Sequence, residues 1–129
     1  MLQVLDSTVL IDYLRGRPAV ERLHELRSRG GVPATTAINV EEITRGLREG
    51  ESEAAQRLFA GLFILPIESD AGQRAGDWRR DFARHGVTLW QADCLIAAAT
   101  LTHGARLVTG NPKDFPMEAL EVEHWPVGE

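Results

Sequence analysis

The sequence has too few cysteines for a disulfide framework or a thiolate zinc site. Cys94 is the only cysteine among 129 residues, so no internal disulfide can form and a cysteine-rich tetrahedral zinc site is excluded. Such a chain suits a reducing compartment, and we expect a cytoplasmic protein. Long hydrophobic runs are also missing. The longest, residues 58–67, holds ten residues, against about 20 for a membrane-spanning helix, and no signal peptide is recognisable.

Positive charge is in short supply as well. Fourteen Lys and Arg residues face 19 Asp and Glu residues, and the net charge of −5 at first argues against a nucleic-acid partner. The objection weakens if four acids form a metal site, because 19 minus 4 leaves 15 acidic against 14 basic residues. All basic residues except Lys113 are arginine. Arginine suits bidentate phosphate contact, although codon bias in a GC-rich genome would give the same excess.

Strand and helix patterns alternate along the whole length, which fits one domain over residues 1–129. Short apolar runs predict strands, and helically spaced stretches between capping residues and glycines predict helices. The expected strands are 2–5, 32–35, 62–67, 106–109 and 120–123, and the expected helices are 9–15, 18–29, 39–49, 51–61, 69–85 and 91–103, the third capped by Asn39. This order predicts an α/β fold with a parallel, doubly wound sheet covered on both faces.

The fold class by itself predicts where a ligand would bind. In open parallel sheets, the binding crevice lies beyond the carboxyl ends of the strands. Asp6 comes directly after the first expected strand, and Asn111 and Asp114 follow the fourth. We therefore expect these polar groups near one crevice, although Asp6 is equally suited to capping the next helix.

Asp93 is the acidic residue whose surroundings are hardest to explain without a ligand. At helical spacing its face continues with Ile96, Ala97 and Thr100, so a carboxylate stands on an apolar, small-residue stripe. Burying an unpaired charge there would cost several kcal/mol. A metal ion or an arginine partner would offset that cost. The simpler alternative is an acid in the first helical turn, favoured by the helix dipole.

Two further groups supply oxygen atoms. Glu41 and Glu42 both lie off the apolar stripe of their helix, so periodicity does not choose between them, and both fit a solvated face. The segment 109–115 offers Thr109, Asn111 and Asp114 beyond a strand end, although taken alone it is typical of a turn. Hard oxygen donors favour Mg²⁺ or Mn²⁺ over zinc. Such ions assist phosphodiester hydrolysis by activating water and neutralising charge.

Four segments, in order along the chain, resemble the motifs of PIN-domain nucleases, and especially the VapC toxins of bacterial VapBC toxin–antitoxin modules. They are residues 4–11, 36–46, 92–98 and 107–115. In the second, the family's Glu-x-x-x-Gly element matches Glu42 and Gly46. The specificity lies in the ordered set, which spans nearly the whole chain.

The resemblance implies a PIN-like three-layer α/β/α sandwich with a central parallel β-sheet. It implies an endoribonuclease that needs Mg²⁺, with Mn²⁺ able to substitute, and that uses metal-activated water to cleave tRNA or ribosomal RNA. It also implies a homodimer without membrane attachment. A cognate VapB-type antitoxin would neutralise the enzyme by filling a groove formed partly by the first two helices, residues 9–29.

The resemblance also assigns the site residues. The acidic catalytic and metal-binding positions match Asp6, Glu42, Asp93 and Asp114. Asn111, where many PIN nucleases carry an acid, competes with Asp114 for the fourth position and is assigned here as a neutral assistant. Thr8 would orient Asp6 or contact phosphate, and Thr109 would support the same site.

Two other functions remain open from the sequence. Asp6 after a strand could be the nucleophile of a phosphoaspartate-forming phosphohydrolase, but those enzymes usually carry a second aspartate two residues on, where this chain has Thr8. A degenerate PIN domain could instead bind RNA or a protein without cleaving, and the presence of Asp6, Glu42 and Asp93 argues against that.

Overall fold

A computed structural model describes residues 1–128 as a five-stranded sheet with six α-helices. The strands are β1 (Leu2–Leu5), β2 (Val32–Thr36), β3 (Phe63–Leu65), β4 (Arg106–Thr109) and β5 (Val122–His124). The α-helices are α1 (Ser7–Leu14), α2 (Ala19–Ser28), α3 (Ala37–Arg45), α4 (Ser52–Ala60), α5 (Ser69–Ala83) and α6 (Gln91–Thr102), and a short 3₁₀ helix covers Pro112–Asp114.

All neighbouring strands pair in parallel, in the order β3-β2-β1-β4-β5. In the central strand β1, Val4 is opposite Ala34 on one side and Leu107 on the other. The chain builds the sheet outward from β1 to one edge and then returns to β4 on the other side. The α/β class with a parallel, doubly wound sheet is therefore confirmed. The reversal of order between β1 and β4 is where such sheets bind ligands.

Each face of the sheet buries its own hydrophobic core. Successive residues of a strand point to opposite faces, so Val4 packs in the core under α5 and α6, whereas Leu5 packs in the core under α1 and α2. The same alternation separates Leu107 from Val108 in β4. Because the central strands are covered on both sides, their middle residues are apolar and no acidic residue lies within β1, β2 or β4. Asp6 is the first acidic residue of the chain and follows β1 directly.

The third helix differs most from the sequence prediction. Asn39 was expected to cap it, but the cap is Thr36, whose Oγ1 accepts from the backbone N–H of Asn39 at 3.3 Å. The Asn39 side chain in turn accepts from the Thr36 N–H at 3.2 Å, which completes a capping box. The helix also ends at Gly46 rather than at residue 49. Within residues 1–128, no helix is long and apolar enough to cross a bilayer.

Candidate active site

The carboxyl ends of β1 and β4 meet at the reversal of strand order. The backbone N–H of Asp6 donates to the carbonyl of Val108 at 2.9 Å. Asp6 is therefore still hydrogen-bonded to β4, although it lies just beyond the end of β1. The next residue of β4, Thr109, ends its strand beside Asp6. The two strand ends therefore bring Asp6 and Thr109 into contact, which is consistent with the predicted crevice.

Asp6 is held by three side-chain donors. Its Oδ2 accepts from the hydroxyls of Thr109 at 2.8 Å and Thr8 at 3.2 Å, and its Oδ1 accepts from the amide of Asn39 at 3.4 Å. Asp6 occupies the N-cap position of α1, as the capping alternative expected, but its side chain makes no capping hydrogen bond, so the carboxylate is not used to cap the helix. Burial raises the pKa of Asp6, hydrogen bonds from Thr109, from the backbone of Ser7 and from Thr8 oppose the rise, and the charge of Glu42 adds to it.

The loop after β4 is tied to the same group. Thr8 Oγ1 accepts from the backbone N–H of Gly110 at 2.9 Å, and Thr109 Oγ1 accepts from the N–H of Asn111 at 3.0 Å. Gly110 has no room for a side chain, since a Cβ there would lie 2.6 Å from Val127 Cγ1 and 3.2 Å from Thr8 Oγ1. These hydroxyls therefore position both Asp6 and the backbone that leads to Asp114, as expected for supporting residues.

Glu42 and Glu41 have different surroundings in the structure, although helical periodicity could not distinguish them. Glu42 is half-buried, and its Oε1 accepts from the Ser7 hydroxyl at 2.6 Å. The Glu41 side chain is 63% exposed and pairs with Arg45 at 3.2 Å, one helical turn further on. Glu42 thus faces the crevice beside Asp6, and Glu41 has the solvated, salt-bridged environment that was the alternative for both residues.

Asp93 enters the crevice from α6. Burial, which is the largest cause, together with the charges of Asp114, Asp6 and Glu42, raises the pKa of Asp93 to about 6. Asp6, Glu42 and Asp114 are therefore close enough to Asp93 to oppose its ionisation. The apolar stripe behind it is real, because Ile96, Ala97 and Thr100 are all fully buried.

The fourth acid stays ambiguous between two neighbours in the 3₁₀ turn. The amide Nδ2 of Asn111 donates to Asp114 Oδ2 at 2.9 Å, so the pair acts as one polar unit. Asp114 is exposed and lines a cavity of about 130 Å³ together with Asp93. The hydrogen bond between Asn111 and Asp114 is consistent with Asp114 as the fourth acid and Asn111 as its neutral assistant. This assignment stays a prediction.

The oxygen atoms of these acidic side chains can be compared with the ligands that a divalent cation requires. Among residues 1–128, no three His, Cys, Asp or Glu side chains are close enough to form a ready-made chelate. Across the same range, none of Asp6, Glu42, Asp93 and Asp114 forms an ion pair with a basic residue. Mg²⁺ rarely occupies an all-protein cage, because it keeps several waters and takes one or two carboxylates. The open cluster of hard oxygens fits that ion, and tight tetrahedral zinc does not fit.

Sequence reasoning missed two members of the network. Ser7 donates to Glu42, and Asn39 Nδ2 donates to Ser7 Oγ at 3.0 Å as well as to Asp6. A signal was available for Asn39, since it precedes Glu42 by three residues and so shares its helix face. Ser7 lies inside the first motif, where a polar residue beside Asp6 was visible but had no predicted partner.

Cys94 and the three tryptophans differ in their burial. Cys94 is fully buried, and burial raises the pKa of its thiol to about 11, which excludes a thiolate nucleophile at neutral pH. Trp125 is buried and Trp78 packs against the core under α5 and α6. Trp90 is different, because 70% of its surface is exposed beside the acidic cluster.

Comparisons with known proteins agree with this geometry. A family model described as the PIN domain matches residues 4–116. Ribonuclease VapC19 of Mycobacterium tuberculosis is 30% identical over 117 residues, which are 90% of this chain and 94% of that protein. Ribonuclease VapC10 of the same organism is 32% identical over 114 residues, covering 88% of this chain and 86% of its own.

Solved structures share the fold at lower sequence identity. VapBC-1 from nontypeable Haemophilus influenzae aligns with a TM-score of 0.84 at 22% identity and covers 97% of this chain and 98% of its own. VapBC2 from Rickettsia felis, bound to a DNA fragment from its promoter, aligns with a TM-score of 0.82 at 20% identity and covers 97% and 99%. These matches extend the three-layer architecture over nearly all of the chain.

Proposed function

The chain belongs to the VapC family of PIN-domain ribonucleases, and we propose that it is a Mg²⁺-dependent endoribonuclease that cleaves specific cellular RNA. tRNA and ribosomal RNA are the substrates to test first. Mn²⁺ is expected to replace Mg²⁺, because both are hard cations that take oxygen ligands.

One observation carries the proposal: Asp6, Glu42 and Asp114 all lie near enough to Asp93 to raise its pKa, and no basic side chain of residues 1–128 forms an ion pair with any of the four. Burial and mutual repulsion raise the pKa values of Asp6 and Asp93, so their ionised forms are costly without a counter-charge. A divalent cation would supply that counter-charge, and when bound it would activate water and neutralise the phosphodiester.

Each acidic residue of the candidate site has a proposed role in the reaction. Asp6 and Asp93 are proposed to hold the cation, each offering carboxylate oxygens that no arginine occupies. Glu42, whose Oε1 accepts from Ser7, is proposed to position the attacking water, with its other oxygen available to take a proton. Asp114, braced by Asn111, is proposed as the fourth acid.

Thr8 and Thr109 are proposed as positioning residues. Both donate to Oδ2 of Asp6, which leaves Oδ1 with only the longer bond from Asn39 at 3.4 Å. Oδ1 is therefore the Asp6 oxygen most free to turn toward a ligand. Such supporting contacts fix ligand orientation, and their loss typically lowers metal affinity or activity by about 10–100-fold.

We further propose that the protein is the toxin of a type II toxin–antitoxin pair and forms a homodimer. The similar solved structures are VapBC assemblies, which supports a VapB-type antitoxin partner. A groove of about 260 Å³ between α1, α2 and α4 is lined by Tyr13, Leu14, Arg27, Ala54, Arg57 and Leu58. Its apolar floor with two arginines at the rim suits an amphipathic antitoxin segment that carries acidic residues.

The proposal is tested by incubating the purified protein with total cellular RNA in Mg²⁺, in Mn²⁺ and in EDTA. We expect discrete cleavage products with either metal and none in EDTA, with activity restored when Mg²⁺ is added back in excess. Cleavage undiminished in EDTA would remove the metal from the proposal. RNA binding without cleavage in Mg²⁺ would favour the degenerate, binding-only domain, and phosphoprotein formation at Asp6 with a phosphomonoester would favour the phosphohydrolase.

A further inference from the structure

An exposed tryptophan stands at the mouth of the candidate site. Trp90 precedes Asp93 by three residues and lines the same cavity of about 130 Å³. Seventy per cent of its surface is exposed, more than for any other large hydrophobic residue in the described part of the chain. An indole in water is unfavourable by a few kcal/mol relative to a buried one, so its position calls for an explanation.

Folding does not require this side chain. Trp90 opens α6 through its backbone, since its carbonyl accepts from the N–H of Cys94 at 3.1 Å and its extended conformation ends the preceding loop. Any residue supplies that carbonyl. The core under α6 is built instead from Cys94, Ile96 and Ala97, all fully buried. The indole is therefore free for contact with a ligand.

The cavity brings three kinds of chemistry together. Trp90 offers an aromatic face, Lys113 offers the only lysine ammonium of the sequence, and Asp93 and Asp114 are proposed metal-site acids. A nucleotide has matching parts: a flat base, an anionic phosphate and a neighbouring phosphodiester to be cleaved. Pockets for whole small molecules measure roughly 300–1,000 Å³, so a cavity of about 130 Å³ takes one flat group and leaves the rest of the ligand outside.

We propose that Trp90 and Lys113 form a subsite for one unpaired nucleotide of the RNA beside the cleaved bond, with the base stacked on the indole and its phosphate near the ammonium. The inference rests on the proposed function and deepens it, because it makes single-stranded RNA the preferred substrate. A base inside a duplex has both faces covered by its neighbours and cannot reach the indole, whereas a splayed base in a loop can.

The test compares single-stranded and duplex RNA. A fluorescein-labelled single strand of about 12 nucleotides, within the usual range of site sizes, and the same strand annealed to its complement are titrated with protein in EDTA, and anisotropy is recorded. We expect Trp90→Ala to weaken single-strand binding about 10-fold and to change duplex binding less than twofold. Trp90→Phe, which keeps a π-face, should recover most of the loss, and Trp90→Leu should not.

Phe63→Ala is the matched control, because Phe63 is an equally exposed aromatic residue, 64% accessible on the edge strand β3 and outside this cavity. It should leave both affinities unchanged. For Lys113, Lys113→Gln should reduce the slope of log affinity against log salt by about 0.7, the value for one phosphate contact on a single strand. Lys113→Arg should preserve that slope.

Several outcomes would overturn the subsite. They are a wild-type protein with no preference for single strands, equal losses of Trp90→Ala on both RNAs, or rescue by Trp90→Leu. Weakened self-association of Trp90→Ala with unchanged RNA affinity would assign the indole to a protein interface instead. Because binding is measured without cleavage, failure of the ribonuclease in Mg²⁺ and failure of the subsite are distinguished.

Discussion

Carboxylates at the two ends of the sheet are balanced in different ways. At the amino ends of β4 and β5, Arg106 pairs with Glu121 and, at 3.1 Å, with Glu123. These carboxylates raise the pKa of the guanidinium, as expected for a charge that has found its partners. At the carboxyl ends of β1 and β4, the acids contact only hydroxyls, amides and one another within the described residues. The charges at one end are paired within the fold, and those at the other would be balanced by the proposed cation.

Burial alone does not distinguish the two situations. Asp12 is more buried than Asp6, at 2% against 6% exposure. Its two oxygens accept from the backbone N–H groups of Ala19 at 3.0 Å and Gly128 at 2.9 Å, so it ties the start of α2 and the end of the described chain to α1. What distinguishes Asp6 is that other acidic side chains lie near it, such as Glu42, whose charge raises its pKa. The hydrogen-bond partners of Asp12 in the described residues are backbone N–H groups. The repulsion between acids, rather than their depth, indicates a cation site.

The largest difference in cleavage is expected between a variant that neutralises an acid of the candidate site and one that neutralises an acid at the other end of the sheet. Asp93→Asn should lower RNA cleavage by at least about 100-fold, because a bound cation contributes several kcal/mol and each 1.36 kcal/mol is a factor of ten. Glu121→Gln, the matched change beside Arg106, should leave cleavage within about twofold, since exposed ion pairs contribute little. Initial rates in Mg²⁺ and circular dichroism of each variant provide the measurement. An active Asp93→Asn protein would contradict the comparison.

A smaller but cleaner contrast separates Glu42 from Glu41 in the same helix. Glu42→Gln should reduce cleavage about 10–100-fold, because the carboxylate that accepts from Ser7 is lost from the crevice. Glu41→Gln removes only an exposed pair with Arg45 and should reduce cleavage less than about twofold. Both variants are assayed side by side with the same RNA. Equal losses would show that the exposed glutamate matters as much as the one in the crevice.

Removing a positioning hydroxyl should have a milder effect than removing an acid. Thr109→Val keeps the shape of the buried side chain and deletes the 2.8 Å donor to Asp6 and the acceptor for Asn111 N–H. We expect cleavage to fall about 10-fold, with a higher Mg²⁺ concentration needed for half-maximal rate. Thr100→Val is the control, because Thr100 is also fully buried but bonds only to its own helix at Ile96. An unchanged Mg²⁺ requirement in Thr109→Val would remove Thr109 from the site.

The smallest effect is a change in stability with pH. The folded-state pKa of Asp93 is raised to about 6 from 3.8, so the folded protein holds this proton more tightly than the unfolded chain. The resulting stabilisation is fully present below pH 4 and is lost as pH rises through about 6. In EDTA at pH 7.5, Asp93→Asn should raise the midpoint of thermal unfolding by about 2–4 °C. The gain stays modest because the half-exposed carboxylate is screened by water.

The same measurement at the other end of the sheet should show no such gain in stability. Arg106→Gln leaves Glu121 and Glu123 without their partner and should lower the midpoint slightly or not at all. Differential scanning calorimetry from pH 4 to pH 8 compares both variants with the wild type. If Asp93→Asn destabilised the metal-free protein at pH 7.5, Asp93 would not be a carboxylate in need of a cation.

The order of elements and the general place of the site followed from sequence patterns, because strand alternation and the strand-end rule depend on periodicity alone. Asp6 directly after β1 and Asp114 a few residues after β4 lie beyond strand ends for that reason. The cap of α3 was not, since Thr36 and Asn39 are both good capping residues and only the backbone decides between them. The choice of Glu42 over Glu41 needed the position of Ser7, a contact 35 residues away along the chain.

The surroundings of Trp90 also could not be predicted from sequence patterns. A tryptophan between Leu89 and Gln91 fits a place in the core and a place at an interface equally well. Its exposure depends on the direction in which the chain enters α6, which the extended backbone at residue 90 determines. Local patterns therefore predict which residues share a face, and they do not predict which face remains uncovered.

Direct titration with Mn²⁺, followed by the paramagnetic resonance of the free ion, is the measurement closest to the central claim. The account predicts that the metal-free protein binds Mn²⁺, that Glu121→Gln binds it equally well, and that Asp93→Asn loses most of the affinity while remaining folded. Competition with Mg²⁺ should release the bound Mn²⁺. A wild-type protein that leaves all Mn²⁺ free, or an Asp93→Asn variant that binds as well as the wild type, would contradict the claim that these carboxylates await a cation.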